Sequence, residues 1–256
     1  MSTKPQYVDD VVASVRTHVC SCTRYSKQNY VDDRGVLDLS HLEPGCAIVS
    51  ERPILTDELI RQYVHDAARV VRVSGLTAGG YSKQRRDVTY YVEGEPAFSY
   101  SGQSHYSMPY PPHVLALVAM FRERIVEAHP ASAVYTRLSH AIDVVYSNEF
   151  ERGGSIGAHG DIGQPDWGLV IIFSLGQSRW LRVRHTASGE WTNVHMRANS
   201  LVAMCGARFQ RAFTHQVDKL RMRDFVGTRL SLNVRYGLPL PALPAVKKRA
   251  RQEEDE

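Results

Sequence analysis

Long apolar runs are missing from this 256-residue chain: none approaches the roughly 20 residues that a helix needs to cross a bilayer. Cysteine is scarce, with four residues at positions 20, 22, 46 and 205, and neither their spacing nor a companion pattern of histidines suits a zinc module. The expectation is reduced thiols in a protein of the nucleus and/or cytoplasm rather than a disulfide scaffold. The first residues, Met1-Ser2-Thr3-Lys4-Pro5, lack the apolar centre of a secretory signal. The excess of one charge sign over the other is small too. Thirty-one Lys and Arg stand against 27 Asp and Glu, a net +4, and the isoelectric point is near 8.9. That balance permits a polyanionic partner without demanding one. Internal repeats are absent. What remains, 43% hydrophobic and 23% charged residues, is the composition of a globular protein.

The patterning changes along the chain. Residues 1–54 read as an N-terminal extension, with a weak helical pattern at Val8, Val11, Val12 and Val15 and a turn-rich stretch ending in Glu43-Pro44-Gly45. Thr56 is placed to cap a helix running to about Val73, with Leu59, Ile60, Tyr63, Val64, Ala67, Val70 and Val71 on one face. Residues 81–110 are rich in Tyr, Ser, Gly and Arg and predict hairpins and loops. Pro111-Pro112 opens a second helix over 114–128, its buried face expected at Leu115, Val118, Ala119, Phe121, Ile125 and Val126. Short strand-forming runs follow, at 141–146, 168–174, 179–184, 190–195, 200–205 and 229–236, separated by Gly and polar turns. The expected class is α+β with a mainly β core, a sandwich, jelly roll or barrel. Residues 239–256 combine a proline-rich stretch, the basic Lys247-Lys248-Arg249-Ala250-Arg251 and an acidic end. They predict a disordered tail whose basic run resembles a nuclear localisation signal.

The chemistry concentrates in two places. His159-Gly160-Asp161 is followed by His215, and two imidazoles with one carboxylate are the ligand set of a mononuclear non-haem Fe(II) site with open positions. Residues two apart on an extended strand point the same way, so His159 and Asp161 can grip one side of a metal while His215 arrives from another strand. Downstream lies Arg229-Leu230-Ser231-Leu232-Asn233-Val234-Arg235. Its odd positions are polar and its even positions apolar, and a buried strand that turns two arginines inward calls for an anion.

These motifs together resemble the AlkB family of Fe(II)/2-oxoglutarate dioxygenases: H-x-D, a distal His, then R-x-x-x-x-x-R. The likeness covers roughly residues 80 to 238. Asn148 falls at the family's Asn-x-Tyr position, and Ser174-Leu175-Gly176 with Arg179 and Arg184 resembles its S-L-G-x-x-R strand pair. Arg86, Tyr91 and Tyr100-Ser101-Gly102 with Pro111-Pro112 resemble its lid. Phe150 stands where the family usually has tyrosine, Arg85 where proline is usual, and Val92 where glycine is usual.

The resemblance implies a double-stranded β-helix (jelly roll) with supporting N-terminal helices. The dioxygenase domain would span residues 55–238, with a lid at 81–110. It implies Fe(2+), 2-oxoglutarate and O2. His159, Asp161 and His215 would hold the metal, and the family's interval favours His215 over His185 and His195. Arg229 would pair with the remote carboxylate of 2-oxoglutarate. Arg235 would steady Asp161 and the near carboxylate, with Asn148 and Asn233 as polar neighbours. No catalytic side chain is implied beyond the metal centre.

Arg86, Tyr91 and Tyr100 would meet the substrate. Tyr90 and Tyr106, and a basic rim at Arg179, Arg182, Arg184, Arg208, Arg211, Lys219, Arg221 and Arg223, would lie beside it. The implied activity is oxidative demethylation of N-alkylated bases in DNA or RNA by a monomer without membrane contact. A protein or small-molecule oxygenase on the same fold, or a nucleic-acid-binding module with a vestigial site, are the alternatives.

Overall fold

The computed structural model describes residues 30–31, 35–51, 55–56, 58–62, 86–91, 97–100, 103–109, 112–128, 144–150, 154–161, 167–219 and 227–237. Strands β1 (Tyr30–Val31), β2 (Gly35–Asp38) and β3 (Ala47–Glu51) come first. β4 (Arg86–Tyr91), β5 (Ala97–Tyr100) and β6 (Gln103–Met108) precede helix α1 (Pro112–Ala128). β7 (Val144–Phe150), β8 (Ile156–His159), β9 (Trp167–Gly176), β10 (Arg179–His185), β11 (Trp191–Met196) and β12 (Ser200–Cys205) follow. The short helix α2 (Phe209–Ala212), β13 (Phe213–Val217) and β14 (Arg229–Gly237) complete the order.

The strands form two sheets. One has five strands in the order β1-β11-β10-β13-β8, the other nine in the order β2-β3-β12-β9-β14-β7-β4-β6-β5. Pairing is antiparallel except for β1 with β11 and β4 with β6. The sheets face one another across Ile48, Val170, Ile172, Val202 and Met204 on one side and Leu181, Val183, Val194, Met196 and Phe213 on the other. This is the expected jelly roll.

The outer face of the large sheet is buried as well. Leu169, Ile171, Phe173, Leu201, Ala203, Leu230, Leu232 and Val234 pack there against Val114, Leu117, Val118, Phe121 and Ile125 of α1. A strand covered on both faces must be apolar at every position, which is why Leu169-Val170-Ile171-Ile172-Phe173 does not alternate. The helix presents a face offset from the expected one: Val114 and Leu117 are buried, whereas Leu115 is 43% exposed. Several neighbouring apolar residues allowed more than one helical stripe, and the sheet selected one.

Thr56 does cap a helix. Its Oγ1 accepts from the Leu59 amide at 3.3 Å, and residues 58–62 are helical. The rest of that expected helix, residues 63–73, lies outside the described residues, as do the helical pattern at Val8–Val15 and the tail from residue 239. Residues 35–51, read from sequence as part of an extension, supply β2 and β3, and β3 pairs with β12 along its whole length. The 81–110 segment contributes strands that widen the large sheet, with β4 pairing to β7.

Candidate metal centre

The small sheet carries the imidazoles. β8 and β13 are antiparallel with His159 and His215 as register partners, so both rings project from the same face. Their centroids lie 4.3 Å apart. Asp161 sits two residues beyond His159, just past the strand end. His159 Nε2 is 3.7 Å from Asp161 Oδ1, and His215 Nε2 is 3.6 Å from Oδ2. The candidate ligand atoms all lie within 4.8 Å of one another, and among the described residues this is the cluster suited to a metal ion.

Hydrogen bonds orient the donors. The carbonyl of Gly157 can only accept, so His159 donates to it from Nδ1 at 2.8 Å, leaving the Nε2 lone pair for the metal. The amide of Asp161 donates to Gln210 Oε1 at 3.1 Å, tying the ligand loop to α2. Arg235 Nη2 donates to Asp161 Oδ1, a buried ion pair that holds the carboxylate in place. Burial pushes the His215 pKa down to about 4, with Asp161 opposing and His159 and Arg235 adding to the shift. A neutral imidazole at neutral pH is the form that binds a metal. Two imidazoles and one carboxylate therefore fit a facial Fe(II) site.

A pH dependence follows for the metal-free protein. Between the ordinary histidine value of 6.5 and about 4, the unfolded chain takes up a proton at position 215 and the folded chain does not. Stability should therefore fall as pH drops through that window, with a limiting slope of about 1.4 kcal/mol per pH unit from this group. Urea unfolding midpoints from about pH 7 to pH 5 should fall less steeply in His215→Gln than in the unaltered chain. Equal slopes would assign the effect to other groups.

The large sheet faces this cluster with the polar side of β14. Arg229, Ser231, Asn233 and Arg235 are all buried, and the intervening Leu230, Leu232 and Val234 face α1. Arg229 donates from Nη2 to Ser174 Oγ at 2.9 Å, and its guanidinium carbon lies 4.8 Å from the centre of the Phe150 ring. Asn233 donates to Ser231 Oγ at 3.1 Å. Asn148 is the register partner of Ser231, and Phe150 that of Arg229. Among the described residues the fully buried charges are three guanidiniums, of Arg179, Arg229 and Arg235, against the one carboxylate of Asp161. Such an interior suits a dianionic ligand beside a divalent metal.

Other sequence candidates fall elsewhere. His185 Nδ1 lies 2.9 Å from Ser188 Oγ in a turn, and its ring meets Phe213. His195 stacks on Trp180 with centroids 4.5 Å apart, and its Nδ1 accepts from Arg197. Neither joins the metal cluster. Arg86 and Tyr91 begin and end β4, and Tyr100 ends β5.

Of the basic rim, Arg208 pairs with Glu43 and Arg182 with Asp218, both at 3.1 Å. Arg221 and Arg223 lie outside the described residues. Arg182, Arg184, Trp191, Thr214, His215 and Gln216 line a cavity of about 400 Å³. The Arg182 guanidinium there lies 5.1 Å from the centre of the Trp191 ring. Gln210, which positions Asp161, carried no sequence signal, because its partner is 49 residues away.

A family model for the 2OG-Fe(II) oxygenase superfamily matches residues 54–235. No curated protein matches the chain. Among solved structures, a 2OG-Fe(II) oxygenase family oxidoreductase from Burkholderia pseudomallei superposes with a TM-score of 0.52 at 14% identity, covering 77% of this chain and 88% of that one. OsALKBH1 superposes with a TM-score of 0.53 at 15% identity, covering 78% and 99%. At that identity the likeness concerns the fold.

Proposed function

The chain belongs to the 2OG-Fe(II) oxygenase superfamily, and from that premise we propose that it is an AlkB-like member that oxidatively demethylates N-alkylated bases in DNA or RNA. It is an enzyme, a dioxygenase using Fe(2+), 2-oxoglutarate and O2. His159, Asp161 and His215 hold the iron in this reading. Bound iron, co-substrate and dioxygen supply the oxidising power, converting 2-oxoglutarate to succinate and carbon dioxide while one oxygen atom enters the substrate. Hydroxylation of an N-methyl group gives a hemiaminal, which loses formaldehyde and leaves the N–H base.

The protein's own residues bind and orient. Arg235 fixes Asp161 and stands where it can also meet the near carboxylate of 2-oxoglutarate. Arg229, held by Ser174 over Phe150, serves the remote carboxylate, with Asn148 and Asn233 as polar neighbours. The two packed sheets exclude water from this end of the interior.

The observation that supports the choice of substrate is a cavity on the outer face of the small sheet, lined by Arg182, Arg184 and Trp191: a target with phosphates and a flat ring uses both kinds of group. Arg86, Tyr91 and Tyr100 are further substrate contacts in this reading. The enzyme acts as a monomer, without membrane contact, in the nucleus and/or cytoplasm. Among the described residues no helix is long and apolar enough to cross a membrane.

The test is mass spectrometry of methylated oligonucleotides, single- and double-stranded, DNA and RNA, after incubation with enzyme, Fe(II) and 2-oxoglutarate. Loss of methyl groups, weakening as salt rises, is the expected result. Succinate formation with every methyl group intact would move the target to a protein or small molecule, and no succinate at all would make the site vestigial.

A further inference from the structure

Arg179 begins β10 and is 1% exposed, yet none of its three guanidinium nitrogens has a hydrogen-bond partner among the described residues. Burial lowers its pKa only to about 10, so it stays charged at neutral pH. A buried cation is tolerated when an anion meets it.

Its direction follows from the register. Arg179 pairs with Met196 of β11, and directly opposed residues of an antiparallel pair share a face. Met196 is part of the core between the sheets, as are Leu181 and Val183, which alternate with Arg182 along β10. Arg179 therefore projects into the interior beside Met196. Arg229 reaches the same methionine from the opposite sheet, with Nη2 3.6 Å from its sulfur. The two arginines flank one side chain.

The chain fixes them together a second time. Gly176, three residues before Arg179, is the register partner of Arg229. Gly176 has φ +76°, and a Cβ there would lie 2.2 Å from the Thr228 carbonyl oxygen, so only glycine lets this turn close against β14. The Gln177 amide donates to Thr228 O at 3.0 Å, and Gln177 Oε1 accepts from the Gly227 amide at 3.3 Å.

We propose that Arg179 and Arg229 form a two-guanidinium clamp on the remote carboxylate of 2-oxoglutarate, so that Arg179 is a specificity-determining residue for the co-substrate. This rests on the reading above that Arg229 receives that carboxylate. Arg229 shares its donors with Ser174, and Arg179 brings a full set of its own. With Phe150 in place of the hydroxyl-bearing tyrosine, Arg179 is the group that supplies further donors at this end.

The test is calorimetric titration of anaerobic Fe(II)-loaded protein with 2-oxoglutarate and with 2-oxobutanoate, which keeps the chelating head and lacks the remote carboxylate. Arg179→Met should weaken 2-oxoglutarate binding about tenfold or more and leave 2-oxobutanoate within about twofold. Arg179→Lys should fall between, and Arg229→Met should resemble Arg179→Met. Methionine replaces an unpaired buried charge with an apolar side chain, so thermal unfolding without ligand should be unchanged or later.

Unchanged 2-oxoglutarate affinity in Arg179→Met, with a clear loss in Arg229→Met, would overturn the clamp while keeping the carboxylate at Arg229. Unchanged affinity in both variants would overturn the placement of the carboxylate itself. Should Arg179→Met fail to fold, equal affinities of Arg179→Lys and the unaltered protein for both acids would overturn the clamp.

Discussion

Asp161→Ala should abolish iron binding and turnover and also destabilise the protein, two effects with separate causes. The first is loss of the anionic ligand between two imidazoles, with His159 and His215 at 3.7 and 3.6 Å. The second is the loss of the carboxylate to which Arg235, 4% exposed, donates. Removing one partner of a buried ion pair costs about 3–5 kcal/mol. Asp161→Asn combined with Arg235→Met should recover most of that stability and none of the iron. Metal analysis and thermal melts of the three proteins separate the effects. His159→Ala and His215→Ala should lose iron as well, and full iron affinity in His215→Ala would remove that histidine from the ligand set.

Arg229→Ala should weaken 2-oxoglutarate binding by about 2–5 kcal/mol, roughly thirtyfold to several thousandfold, because a buried carboxylate would lose a hydrogen-bonded countercharge. The iron content should stay as it was, since Arg229 is not one of the clustered ligand residues. Direct titration checks this, and an unchanged affinity would place the co-substrate elsewhere. Phe150 bears on the same affinity. Its ring lies under the guanidinium at 4.8 Å, so Phe150→Leu should cost up to about 2 kcal/mol, while Phe150→Tyr keeps the platform and should change little or tighten binding.

The features most legible in the sequence are those in which chemistry constrains residue type. Imidazoles and a carboxylate at His159, Asp161 and His215 have few joint explanations, and the alternation along 229–235 states which side of β14 is polar. Relations set by tertiary neighbours were hidden. Phe150 looked like the loss of a hydroxyl, and its stacking under Arg229 depends on the pairing of β7 with β14. Arg179 looked like one more basic residue of a rim, because a lone arginine at a strand start carries no mark of its burial. The stripe of α1 was misjudged at Leu115 because the helix offers apolar residues on adjoining faces. β3 was missed because Ala47-Ile48-Val49-Ser50 is a short run whose partner, β12, lies about 150 residues later.

That last pairing has a practical edge. The family match begins at residue 54, three positions after β3 ends. A shortened protein starting there would keep every metal ligand and both clamp arginines. It would also strip one flank from β12, exposing a row of unsatisfied amides and carbonyls along the apolar run Leu201-Val202-Ala203-Met204-Cys205. Bare strands of that kind recruit strands from other molecules. Recovery of such a truncation as aggregate would therefore reflect an unguarded sheet margin, and would say nothing against the chemistry of the centre.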